Sequence, residues 1–244
     1  MNLLQIVREH ARRQGLPLPS SVASALSGYP QRALGLLNEF CDDLNTRKAW
    51  QTNLRQAEWA ATATESQGSL SVLAPYSYEG IVPGTTYAHS QQRLMEVLSP
   101  QEWQARRVCD FVGPYPAYRL QGGEFLVNPV PQAGETFSFE YYSSAFVYFP
   151  GIAGTNSQPP VYRRYWENDL DTSTVGADLA IAYLRWAWKK EQGFDYAEDF
   201  AKYERMLFTK SVRNDSPQSV RMDGIPTVVS RPGIVVPEAS WNLP

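Results

Sequence analysis

The chain has 244 residues, of which 43 % are hydrophobic and 13 % aromatic, and it carries a formal net charge of −3 at pH 7. That length can bury a sizeable core, as one domain with an insertion or as two small domains, and the composition excludes wholesale disorder. The charge argues against a protein that grips nucleic acid through a concentrated basic face, though not against one that surrounds DNA without holding it.

The opening residues, MNLLQIVREHARRQG, contain no long apolar run and no small-residue cleavage site, so no signal peptide is expected there. Leu3, Leu4, Ile6 and Val7 predict a short first helix ending near Gly15. The turn-rich LPLPSS follows, and a second helix is predicted from Pro30 to Lys48 with Ala33, Leu36, Leu37, Phe40 and Leu44 on its core face. Cys41 lies on that apolar side and reads as a buried free thiol, because Cys41 and Cys109 are too few and too far apart for a disulfide framework. From Trp50 to Leu73 the Thr-, Ser- and Gly-rich ATATESQGSLSVL suits strands and turns. Ser99-Pro100-Gln101-Glu102 predicts a capping box that opens a short helix through Arg106.

A β region comes next. Tyr118–Leu120 and Glu124–Val127, joined by Gln121-Gly122-Gly123, predict a tight hairpin, with a second turn over NPVPQAGE. Thr136 to Val147 alternates, with Phe137, Phe139 and Tyr141 on one face and Ser138 and Glu140 on the other, as in a half-buried antiparallel strand. Residues 151–160 read as an exposed loop. Helix resumes at Val175: Leu179, Tyr183 and Trp186 form a stripe widened by Ile181, Leu184 and Trp188, closed by Lys189, Lys190 and Gly193. Asp195, with Glu198 three residues on, predicts a capped last helix whose seam is Tyr196, Phe200, Tyr203 and Leu207. This apolar face must find the N-terminal helices. The tail has five prolines and short bursts such as Ile225, Val228 and Val229, and reads as an arm that orders against another surface; a disordered terminus is the plainer alternative.

The expected fold class is therefore α+β. A helical bundle forms from residues 1–50 and 172–213, an antiparallel β domain is inserted over 51–171, and 214–244 is an extended Pro-rich arm. No run of eighteen apolar residues occurs, so no helical membrane span is expected.

No catalytic, cofactor-binding or metal site is expected. His10 and His89 have no Cys or carboxylate at a ligand spacing, and neither a GxSxG elbow nor a phosphate-cradling glycine loop is visible. The acidic pairs Asp42-Asp43 and Glu198-Asp199 fall on predicted helices and read as solvated faces. Tyr141-Tyr142 and Tyr162-Arg163-Arg164-Tyr165-Trp166 could stack on bases or sugars, with sheet packing or a subunit contact as the favoured reading.

Several motifs, in order, resemble the head-to-tail adaptor (neck) proteins of tailed bacteriophages, especially short-tailed ones. They are LLQIVREHARRQGLPLPSS, the Trp50 region, TESQGSLSVLAP, LSPQEWQ from Leu98 to Gln104, YRLQGGEFLVNPVPQAGETFSFEYYSSAFV, and LRWAWKKEQGFDYAEDFAKYE. LSPQEWQ followed by the hairpin is the more specific combination. DLDTSTVGADL is short for the family pattern, and the arm after Arg213 does not match it. The resemblance implies a structural virion protein, made in the host cytoplasm, and not an enzyme. It implies a ring, usually a homo-dodecamer, between the portal protein and the tail nozzle or fibres, with double-stranded DNA passing through the lumen without sequence-specific binding. The lumen is expected to be neutral to acidic, since a basic lining would hold DNA by its phosphates. Arg185, Lys189, Arg221, Ile225 and Val228 are the residues expected at interfaces. The rival reading is a β-rich tail or receptor-binding module that recognises glycan through Tyr162, Tyr165 or Trp166.

Overall fold

A computed structural model describes residues 1–109, 115–151 and 160–214. Its helices are α1 (Leu3–Gln14), α2 (Tyr29–Arg47), the single turn α3 (Leu70–Leu73), α4 (Pro100–Val108), α5 (Ala177–Glu191) and α6 (Ala197–Asn214). The strands are β1 (Leu54–Ala60), β2 (Ser66–Ser69), β3 (Tyr78–Ile81), β4 (Tyr87–Ala88), β5 (Arg93–Leu94), β6 (Glu96–Val97), β7 (Ala117–Gln121), β8 (Glu124–Asn128), β9 (Thr136–Ser143), β10 (Val147–Phe149), β11 (Val161–Arg163) and β12 (Thr172–Ser173). The fold is α+β. Three sheets run β1-β9-β4-β5 with β3 also on β9, β11-β10-β12, and β2-β8-β7-β6. The described pairs are antiparallel except β6 with β7, which are parallel.

The chain divides into two compact units. The first comprises Met1–Arg55, Tyr76–Gly80 and 142–214; the second comprises Gln56–Pro75 and 81–141. This division runs differently from an insertion spanning 51–171. Phe146, Val147 and Trp166 are buried in the same cluster as the helices, and the Trp166 N–H donates to Asn38 Oδ1 at 2.9 Å. The Asp169 carboxylate accepts the Ser21 hydroxyl at 2.5 Å and the Val22 and Ala23 amides at 2.9 Å, which ties the turn after α1 to the same stretch. Phe146 and Val147 end the stretch expected as a strand, and Trp166 and Asp169 follow no helical or alternating period, so their helical partners are visible only in three dimensions.

In the first unit each helix has local reasons to start and stop. Asn2 and Gln5 form a reciprocal capping box at the head of α1, and Gly15 closes it at φ 67°. Pro30 stands in the first turn of α2. At the end of α5, Gly193 adopts φ 73°; its N–H bonds the Lys190 carbonyl and that of Phe194 bonds Lys189, a Schellman closure. The core joins Leu3, Ile6 and Val7 of α1 with Leu37, Phe40 and Leu44 of α2, Leu179 and Leu184 of α5, and Tyr203 and Leu207 of α6. Each fully buried Leu or Phe contributes about 1.5–3 kcal/mol relative to exposure. The two chain ends therefore close one helical core. The Tyr203 hydroxyl donates to Asp43 at 2.7 Å, and Arg47 bridges Asp43 and Glu204, fastening α6 to α2.

The expected capping box on α6 does not form. The helix starts at Ala197, whose N–H donates to Asp195 Oδ1 at 3.1 Å, so Asp195 makes an Asx turn one residue too early to cap with Glu198. The long alternating strand is also interrupted. β9 ends at Ser143, where Ser143 Oγ donates to the Tyr76 carbonyl and accepts the Ala145 N–H, and the chain resumes as β10 in another sheet. Side-chain hydroxyls replace the ladder there, which the apolar alternation does not reveal.

The second unit is held by aromatic rings. Trp59 meets Phe125 (5.1 Å), Phe139 (5.5 Å) and Phe137 (6.0 Å) edge-on, while Phe125 stacks on Tyr118 at 5.1 Å. The hairpin of β7 and β8 turns through Gly122 and Gly123, both at positive φ as a two-residue primed turn requires. The box of Ser99 and Glu102 starts α4 and seats Trp103, fully buried, beside Leu98 and Ala117. Ser138 is buried, contrary to a strand wet on one face, because its hydroxyl is bonded to His89 Nε2 at 2.7 Å.

Candidate interaction surfaces

The α5–α6 hairpin concentrates the charges and rings expected to meet partners. Asp199 on α6 is buried, and both its oxygens are taken: Arg185 Nε at 2.9 Å and Lys189 Nζ at 2.5 Å, one helical turn apart on α5. The spacing of 185 and 189 aims both cations at one carboxylate. Arg185 and Lys189 thus serve within the hairpin, although each keeps part of its side chain in solvent. Asp199 is not on a solvated face, since it is the counter-ion of two cations. Arg185 and Asp199 also line a cleft of about 180 Å³ with Arg13, Asp178, Lys202 and Met206. Arg221, Ile225 and Val228 lie outside the described residues.

At the hairpin corner the seam opens. Tyr203 and Leu207 are buried as expected, but Tyr196 is 39 % and Phe200 37 % exposed, and Phe194 is 64 % exposed. Tyr196 precedes the first turn of α6, so the helical spacing that buries Tyr203 does not apply to it. Trp186 lies 5.1 Å from Phe200 at 76° and 6.3 Å from Tyr196 at 40°, with Lys190 Nζ 5.7 Å from its ring centre. These rings, with Phe194 and Asp195, line a cleft of about 690 Å³. The apolar spacing places Tyr196 and Phe200 in helix packing and gives Phe194 no role. The signal was the GFDY run itself, which puts two aromatic side chains in a turn with no helix to hide them.

Elsewhere the residues with chemical potential are engaged in structure. His10 is buried between α1, α2 and α5; Nδ1 is 2.6 Å from the Tyr29 hydroxyl, and its ring stacks on Tyr29 and meets the edge of Trp188. Burial, reinforced by Arg185 and Arg13, lowers its pKa to about 4. Burial likewise raises the Cys41 thiol to about 12, so it is an inert core group. Asp42 binds Arg164 at 3.0 Å and accepts the Tyr165 hydroxyl. Tyr162 lies 3.6 Å beneath the Arg55 guanidinium, and Trp166 and Tyr141 are buried. Of the rings that could have received a base or sugar, Tyr165 remains 36 % exposed.

Among the described residues, no group of three or more His, Cys, Asp and Glu side chains is placed to hold a metal ion. No helix among them is long and apolar enough to cross a membrane. No protein-family model matches the chain, and comparison with curated proteins finds no match.

Proposed function

We propose that this chain is a structural virion protein: a head-to-tail adaptor that assembles as a ring, a homo-dodecamer, between the portal and the tail nozzle of a short-tailed phage. In this reading it is made in the host cytoplasm, extends the DNA channel and has no enzymatic role. The observation that carries the reading is the α5–α6 hairpin. It forms, together with LSPQEWQ, the more specific combination in the resemblance, it is locked onto α1 and α2 through one core, and it turns an aromatic cleft outward. An element that is rigid on one side and sticky on the other suits a subunit that must seat against neighbours.

A ring is built from heterologous contacts, so each copy needs two different complementary patches. The helical domain would meet the portal and the β domain the nozzle or tail fibres. The lumen would be neutral to acidic, letting DNA slide without many phosphate contacts. The decisive experiment mixes the purified chain with the portal protein of the same phage and classifies the particles by electron microscopy. Twelvefold rings stacked end to end are the expected result. Portal rings that stay bare at saturating chain would sink the reading, whereas a monomer in isolation would not, because the portal can template assembly. For the glycan-binding alternative, Tyr165 stays 36 % exposed with its hydroxyl on Asp42, while Trp166 is buried and Arg55 covers a face of Tyr162.

A further inference from the structure

The corner cleft lies where α5 turns into α6 and is lined largely by aromatic rings. Its walls are angled rings, Trp186 at 76° to Phe200 and at 40° to Tyr196, with Phe194 standing out beside them. One cation, Lys190, and one anion, Asp195, belong to its lining. Angled aromatic walls on an open cleft suit an extended chain laid across them, above all one containing proline, whose preset backbone loses little entropy on docking. A volume of about 690 Å³ takes a few side chains.

The chain itself contains such a segment. Ile225-Pro226-Thr227-Val228-Val229 is a β-branched run with an internal proline, with Asp223 two residues before it and Arg231 two residues after. Its flanking charges are opposite in sign to Lys190 and Asp195. We propose that residues 225–229 of one copy occupy the corner cleft of a neighbouring copy, so that arm and cleft are the two unlike patches of the ring. This rests on the ring reading above.

Reach favours the neighbour over the same copy. The cleft is at the start of α6 and the arm leaves from its end, 18 residues away, which is about 27 Å along the axis. The helix delivers the chain pointing away from its own cleft. Residues 215–224, with one proline among them, span at most about 33–36 Å fully extended, so a return would require an immediate reversal and a largely extended run back. An arm folded onto its own cleft would also consume both patches and leave nothing to join the copies.

The test uses the full chain with a benzophenone amino acid replacing Val228. Copies labelled with heavy nitrogen are mixed with unlabelled copies, assembled with portal, irradiated and digested. Cross-links from position 228 to the segment 186–200 are expected, with heavy–light pairs at the frequency that random mixing gives. Phe194→Asp, at a position outside the core, is expected to cut that cross-link on the order of tenfold while its unfolding curve overlays that of the parent. Cross-links found only within one isotope, cross-links mapping elsewhere, no cross-link at all, or a Phe194→Asp yield equal to the parent would each overturn the proposal. Rings whose position 228 maps elsewhere sink this contact and leave the adaptor reading standing. Heavy–light cross-links at the cleft without rings do the reverse.

Discussion

Acidification is expected to loosen the helical unit through His10. The side chain is 1 % exposed and its pKa is lowered from 6.5 to about 4, chiefly by burial and then by Arg185 and Arg13. The folded state therefore resists a proton that the unfolded chain accepts. Stability from this group is intact above about pH 7, falls as the unfolded chain takes up its proton below pH 6.5, and levels off once the folded form also protonates near pH 4. The difference of 6.5 − 4 pH units at 1.36 kcal/mol per unit is about 3 kcal/mol, a large share of the stability of an ordinary domain. His10→Gln removes the titration and keeps a polar group near the Tyr29 hydroxyl. Urea unfolding followed by tryptophan fluorescence, in steps from pH 7 to pH 4, separates the two chains. The parent is expected to lose about 3 kcal/mol more than the variant over that range, whatever the carboxylates common to both contribute. Parallel pH profiles, or a His10 resonance titrating near 6.5, would refute the reasoning.

Other substitutions test the rest of the packing. Asp199→Ala removes the anion shared by Arg185 and Lys189; both cations reach solvent in part, so the cost expected in urea unfolding is about 1–2 kcal/mol, below that of a fully buried pair. Gly193→Ala meets no atom within 4 Å of the new Cβ, so its cost is backbone strain alone, about 1 kcal/mol, and Gly193→Asn is expected to cost less. Phe125→Ala, at the centre of the ring cluster with Trp59 and Tyr118, is expected to destabilise the second unit by about 3–5 kcal/mol, read by the loss of near-ultraviolet circular dichroism. Ser99→Ala is expected to cost about 1 kcal/mol and to speed amide exchange in the first turn of α4.

The helices of the first unit were legible because periodicity and caps act over a few residues. Leu36, Leu37, Phe40 and Leu44 fall on one face by spacing alone, and Gly15, Gly193 and the Ser99 box mark ends through local hydrogen bonds. The hairpin at Gly122-Gly123 follows from the same short-range logic. What failed were inferences that needed a partner distant in sequence. Asp199 and Asp43 look like solvated acids until α5 and Tyr203 are brought beside them, whereas Asp42 keeps about half of its side chain in solvent. Phe146, Val147 and Trp166 sit in a stretch without helical period, yet their burial against the helices moves a domain boundary.

The sequence by itself determined which segments become helix or hairpin and where several of them end, because propensity, capping and apolar period are properties of neighbouring residues. Tertiary structure alone decided which charges are counter-ions, where the strand from Thr136 breaks, and which rings stay uncovered at the α5–α6 corner. Those outcomes depend on desolvation and on contacts closed across a hundred residues or more, such as Arg164 with Asp42 or Tyr203 with Asp43. No local pattern encodes how much water such a contact excludes.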